Sequence, residues 1–438
     1  MRIAQILPGS GDRFYCENCV RDNALVRALL AAGQEVVVAP LYLPQFVEGV
    51  EAVSGAPVFF GGINVYLQQR FAFFRKTPRW IDRIFDARPF LRMAARSAGS
   101  VRASGLGELT YSMLRGAEGN QAKELGRLVR YIESTGPLDA AHLSTTLLLG
   151  IGSELKKRLG LPLVCSLQDE DVWIDCLEAP YPERCWELLA ERAGEVDAFI
   201  AVSRTYADIM RDKMKIRPER LHVVPVGVET AATAPVPPPD PPVLGYLARM
   251  SESQGLGVLA DAFLLLKKTE ALKGLRLHVS GGCTADDEAF LDRLREKFSS
   301  EGVGEDVKFY EEFDPDSRRE FLGSLSVLSV PAPRGAAFGT FILEALAAGV
   351  PVVQPRVGAF PELLEATGGG VLYEPNDAAT LARVAGALLG DAGRRAELAR
   401  IGRESVVKNF SLEKMAAEMV EVYRGVVAGA GAPAGRRA

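Results

Sequence analysis

Three observations predict an α/β protein made of two Rossmann-like domains facing a cleft. Short apolar runs of the buried parallel-strand type alternate with helical patterns along the chain. One block, TAATAPVPPPDPP at 230–242, interrupts that alternation, and its prolines can neither join a strand ladder nor continue a helix. A length of 438 residues also exceeds what one ordinary core organises. Hydrophobic content of 48% and charged content of 24% are those of a soluble globular chain. The net charge of −5 gives a nucleic-acid partner no electrostatic support. No run of about 18 apolar residues offers a membrane span. The N-terminal apolar strand is broken by Gly9, Asp12 and Arg13, which is not a secretory signal. Six cysteines in so long a chain do not make a disulfide framework. The expected compartment is the cytoplasm.

In chain order, the first domain (1–229) reads as a strand at 2–7, a helix at 23–32 and a strand at 35–41. Gly33 can end that helix in a left-handed cap. Further buried strands are expected at 162–167 and 197–202. After the linker, the second domain (243–410) repeats the scheme, with strands at 243–248, 275–280, 307–310, 325–330 and 350–354. An amphipathic helix over 411–428 is expected to cross back to the first domain, and 429–438 to be a frayed tail.

The most informative stretch is 329–374. A loop containing Gly335, Phe338 and Gly339 runs into an apolar helix that carries one carboxylate, Glu344. Backbone N–H groups at such a helix start can hold a phosphate. The acid one and a half turns later can take a sugar hydroxyl. Together they suit a nucleotide sugar better than a free nucleotide.

The order of motifs resembles the GT-B glycosyltransferases, in particular the large family 4 (group 1) of nucleotide-sugar-dependent retaining enzymes. The likeness covers nearly the whole chain. It rests on a glycine loop after the first strand (Gly9, Gly11), the strand LVCSLQDED, then VSRTYADIM, VPVGVE, ARMSESQGL, and the glycine-loop helix reaching Glu344. It implies a retaining transferase moving a sugar from a nucleoside diphosphate donor to an acceptor the sequence does not name. Arg249 and the backbone of Phe338, Gly339 and Thr340 would hold the diphosphate, and Glu344 the ribose. Gln168 and Asp169 would contact the transferred sugar, while Gly9 and Gly11 leave room at the cleft floor. No metal or other cofactor is required, since Arg249 and a helix N-terminus can bear the phosphate charge.

Three positions depart from the family pattern. Gln254 replaces the lysine of the Arg249 loop, and an amide cannot neutralise a phosphate. Ala336 replaces the first of two glutamates eight residues apart. Gln168 replaces a histidine before Asp169. Two readings fit: a working transferase with a reshaped sugar pocket, or a scaffold that binds nucleotide sugar without turnover.

Other features admit two readings each. Cys16 and Cys19, in a loop, could form a redox pair or, with Cys176 and Cys185, a zinc site, against two small side chains at a helix start. The acids Asp169, Glu170, Asp171 and Asp175 could serve an acceptor or a cation, against helix capping and solvation. The segment 59–102 interleaves aromatics with arginines. It could rest on the inner face of a membrane or bind a lipid-linked or acidic acceptor, against filling the first domain's core. Acceptor choice is expected to reside there.

Overall fold

The computed structural model describes residues 1–9, 14–42, 58–60, 106–230, 239–312 and 314–431. Gly11, linker residues 231–238 and nearly all of the 59–102 insertion lie outside them; of the insertion only Phe59 and Phe60 are described, and both are buried. The chain divides into two compact units, one gathering residues 1–11, 22–225 and 415–438, the other 12–21 and 226–414. Residues 12–21 and 226–229 thus group with the second unit, apart from the rest of the stretch 1–229.

The first unit holds a parallel sheet of six strands. They are β1 (Arg2–Leu7), β2 (Glu35–Pro40), β3 (Ala140–Leu143), β4 (Leu163–Leu167), β5 (Ala198–Ala201) and β6 (Leu221–Val223), in spatial order β2-β1-β3-β4-β5-β6. Every residue of β3, β4 and β5 is buried, which is why they read as unbroken apolar runs. β3, AAHL, escapes a propensity reading because alanine and histidine are poor strand formers. Its His142 is satisfied internally: Nδ1 lies 2.6 Å from the Tyr423 hydroxyl and Nε2 2.8 Å from Ser166 Oγ. Tyr423 belongs to the helix Leu412–Gly431, which runs three residues past the expected end at 428, and residues 415 onward pack with this unit.

The second unit holds another six-stranded parallel sheet. Its strands are β7 (Val243–Leu247), β8 (Arg276–Ser280), β9 (Val307–Phe309), β10 (Val327–Leu328), β11 (Val352–Pro355) and β12 (Gly370–Tyr373), in order β12-β11-β10-β7-β8-β9. Successive strands run outward from β7 in one direction and from β10 in the other. The order therefore reverses between β7 and β10, and the carboxyl ends of the strands at such a switch point are where open α/β sheets place ligands. No helix among the described residues is long and apolar enough to cross a membrane.

Candidate active site

The loop after β10 leads into the helix Thr340–Ala347. Gly339 stands at its N-cap with φ of 102°, a left-handed conformation that a side chain would strain. Having no side chain, this cap leaves the first N–H groups of the helix open to an acceptor from elsewhere. Every residue of the helix except Glu344 is buried. A helix apolar on all sides belongs in a core, so its single carboxylate stands out. The Glu344 side chain retains 15% exposure.

Two side chains hold Glu344. The Tyr15 hydroxyl donates to Oε2 at 2.7 Å, and Arg318 Nη2 lies 3.3 Å from Oε1. Arg318 comes from the helix Pro315–Gly323. The sequence Asp-Pro specifies where that helix starts: Asp314 accepts from the N–H groups of Asp316 and Ser317, and Pro315 sits where no donor is needed. Phe321 and Leu322 bury the helix face, and Arg318 is carried inward with them, 15% exposed. Its guanidinium also lies 5.7 Å from the centre of the Tyr15 ring. Burial works against the Arg318 charge, but Glu344 and Tyr15 outweigh it and hold the guanidinium above its ordinary range. Burial first, then the carboxylates of Glu344 and Glu17, push the Tyr15 phenol well above its usual value, so it stays a donor.

The amide of Thr340 at the start of this helix donates to a Glu17 carboxylate oxygen. Glu17 opens the helix Glu17–Ala31, which begins six residues earlier than the expected 23. Cys16 therefore precedes a helix and Cys19 lies in its first turn, correcting the loop placement. The Cys19 thiol donates to the Cys16 sulfur at 2.7 Å, and the two stand as thiols, not as a disulfide. No three histidine, cysteine or acidic side chains among the described residues are grouped to hold a metal ion.

Arg249 follows β7, across the switch point from the glycine loop. Its Nε donates to Asp287 Oδ2 at 2.8 Å, and Nη2 reaches Thr284 Oγ1 at 2.9 Å and Asp287 Oδ1 at 3.1 Å. Asp287 and Thr284 form a reciprocal cap, so the guanidinium is oriented by a pre-set pair. Partial burial raises the Asp287 carboxyl, but hydrogen bonds from Arg249 and Thr284 more than offset it and hold the group below its ordinary value. Gln254 ends a short turn at Glu252–Gln254. The buried Tyr246 hydroxyl lies 2.9 Å from the Arg249 carbonyl and 3.3 Å from that of Gln254, fixing the loop between them.

In the first unit, Gln168 is buried, and its Nε2 donates to the Ser144 carbonyl at 2.5 Å and to Asp22 at 3.2 Å. Those hydrogen bonds place its amide in the unit's interior, where it was expected to offer donors to a sugar. Asp169 adopts φ of 58°, one of two non-glycine residues among those described with positive φ. Such backbone is uncommon outside glycine and gathers at functional positions. Glu170, which the sequence does not single out from its acidic neighbours, is the organising acid. It accepts from Thr145 Oγ1, from the N–H groups of Thr146 and Gln168, and from Tyr206 Oη, at 2.7–3.0 Å. Gly9 is left-handed at φ of 95° just after β1.

The glycine loop, its helix and the Arg249 loop fall where known families can be compared. The family described as Glycosyltransferase Family 4 matches residues 110–232, and Glycosyl transferases group 1 matches 229–405. The chain belongs to these glycosyltransferases.

As a group 1 glycosyltransferase it has likenesses over two thirds of the chain or more. It is 29% identical to the D-inositol 3-phosphate glycosyltransferase of Acidothermus cellulolyticus over 67% of this chain and 68% of that one. With the same-named enzyme of Xylanimonas cellulosilytica it shares 27% identity over 83% of this chain and 91% of that protein. Among solved structures it resembles sucrose-phosphate synthase from Thermosynechococcus elongatus, at TM-score 0.73 and 19% identity, covering 98% of this chain and 100% of that one. Anabaena HepE in complex with UDP and glucose matches at TM-score 0.66 and 17% identity, covering 96% and 99%. The fold is GT-B. Sequence reasoning missed four groups in this glycosyltransferase: Tyr15, Glu17, Arg318 and Asp287. For Arg318 the Asp-Pro helix start was a usable signal, though it does not say which arginine turns inward. Tyr15 and Glu17 reach Glu344 and Thr340 from more than 300 residues away in sequence, and no local pattern announces that.

Proposed function

We propose that the enzyme moves a sugar from a nucleoside diphosphate donor to an acceptor with retention of configuration at the transferred carbon. The observation that carries this reading is Glu344, a single carboxylate in an otherwise apolar helix, one and a half turns past a side-chain-free N-cap at the sheet's switch point. The helix N-terminus suits a diphosphate and the carboxylate a ribose diol. Arg249, oriented by Asp287, supports the charge that grows on the leaving diphosphate. The diphosphate leaves from one face of the sugar, the acceptor oxygen bonds to the same carbon on that face, and a phosphate oxygen takes the acceptor proton. Gln254, Phe338 and Gly339 complete the donor loops, with Asp169, Gly9 and Gly11 assigned to the transferred sugar and its approach. The UDP held by HepE, a protein of the same fold, supports a nucleoside diphosphate here.

Nucleotide sugars are tested on the purified protein by thermal shift, which reports ligand linkage to stability, and by release of nucleoside diphosphate. One donor should both stabilise and slowly hydrolyse. Glu344→Ala should weaken its binding at least tenfold, the scale of a lost charge-assisted hydrogen bond. Binding that survives Glu344→Ala unchanged removes the ribose assignment. Binding without any release, even with acceptors supplied, favours the non-catalytic scaffold.

A further inference from the structure

The three groups assigned to the donor share one neighbour within the second unit. Phe14 lies under Arg249, whose guanidinium is 5.5 Å from its ring centre. Tyr15 bonds to Glu344 at 2.7 Å. Glu17 takes the Thr340 amide. We propose that segment 14–17 is an internal competitor of the donor, occupying its diphosphate and ribose contacts until a nucleotide sugar displaces it. The proposal rests on the donor assignment above and concerns the regulation of that same site.

The physical case is mutual exclusion. A carboxylate is stabilised at a helix N-terminus for the same reason a phosphate is: both complement open N–H groups and the positive end of the helix dipole. One amide hydrogen serves one strong acceptor, so Glu17 and a diphosphate oxygen cannot both hold Thr340. Glu17 is also the first residue of its own helix, so two helix N-termini stabilise the same carboxylate. A helix is ordinarily capped by the residue that precedes it. Here that residue is Gly339, and the cap comes from 323 positions away.

The segment is seated, not merely adjacent. The Tyr15 amide donates to the Gly281 carbonyl at 2.7 Å, and Phe14 forms an antiparallel bridge with Gly282. Gly281 has φ of 125°, and a Cβ there would stand 2.1 Å from the Ala248 carbonyl oxygen, so only glycine builds this seat. The seat lies at the end of β8, beside the loop that carries Arg249. A site filled from within its own chain binds outside ligand more weakly, in proportion to the fraction left open. Donor affinity is thereby set by how readily 14–17 leaves.

Calorimetric titration of the full-length protein with UDP, GDP and ADP separates the possibilities. Glu17→Gln keeps the shape, removes the charge, and should tighten binding of the preferred diphosphate about tenfold, the change carried by one charge-assisted hydrogen bond. Tyr15→Phe frees one oxygen of Glu344 and should also tighten binding, which gives a second reading if Glu17→Gln folds poorly. A wild-type protein that binds diphosphate while both variants bind equally or more weakly overturns the competitor and leaves the donor site standing. If neither the wild type nor either variant binds any of the three diphosphates, the donor assignment fails and the competitor with it.

Discussion

The pair Arg318–Glu344 gives the most direct measure of how the second unit builds its site. The charged atoms are 3.3 Å apart and both side chains are 15% exposed. At an effective dielectric of about 20, two unit charges at that distance attract by about 5 kcal/mol. Desolvation removes part of this, so a net coupling of about 2 kcal/mol is expected. The perturbation is a double-mutant cycle on Arg318→Met and Glu344→Gln, chosen to keep side-chain volume. Arg318→Met alone should cost about 2–3 kcal/mol, because it leaves a largely buried carboxylate with the Tyr15 hydroxyl as its remaining partner of the two described above. The double variant should be less destabilised than the sum of the singles by about 2 kcal/mol, read from urea unfolding at constant m. Single-variant costs that add to within about 0.5 kcal/mol would refute the reasoning, since uncoupled sites behave that way. Arg318 would then owe its position to contacts other than Glu344, and Glu344 its position to Tyr15.

Two further outcomes follow from the same geometry. Glu170→Gln should destabilise the first unit by about 2–3 kcal/mol, because whichever oxygen becomes an NH₂ faces two donors it cannot accept from; denaturant titration followed at tryptophan checks it, and a change under about 0.5 kcal/mol would show the carboxylate is not the hub. The Asp287 carboxyl is held below its ordinary 3.8, so its stabilising contribution is complete above that value and is lost as pH falls through the folded-state value. Stability of the wild type should therefore drop below about pH 4, and Arg249→Met should flatten that acid limb by returning Asp287 toward its ordinary range. Identical acid limbs for the two proteins would break the assigned link between Arg249 and Asp287.

The two sheets were legible because parallel strands covered on both faces must be apolar throughout, and runs such as Val243–Leu247 have no other simple reading. The glycine loop and Glu344 were legible because a lone acid in an apolar helix breaks the helix's own pattern. What stayed hidden obeys no local rule. β3 is a strand by virtue of its central place, with alanine and histidine supplying no propensity. The acidic cluster shows the limit more sharply: the resemblance points to Asp169, yet the adjacent Glu170 gathers four donors, because a one-residue step decides which carboxylate turns inward.

The departures from the family pattern bear on the same limit. The chain lacks an acid at Ala336, a cation at Gln254 and an imidazole at Gln168. Within the second unit it nevertheless places a cation, Arg318, on Glu344, and an acid, Glu17, on the first amide of the same helix. The resemblance expects an acid at 336 and a cation at 254; here an acid and a cation come from positions the motifs do not cover. A comparison that goes position by position registers the losses and cannot register the arrivals, because electrostatics depends on where charges lie in space. On the proposals above Arg318 holds the ribose carboxylate while Glu17 stands where a donor phosphate would, so the residues at 254 and 336 do not by themselves decide between a transferase and a scaffold. The affinity change at Glu17→Gln and the coupling at Arg318–Glu344 measure how the site has been rebuilt.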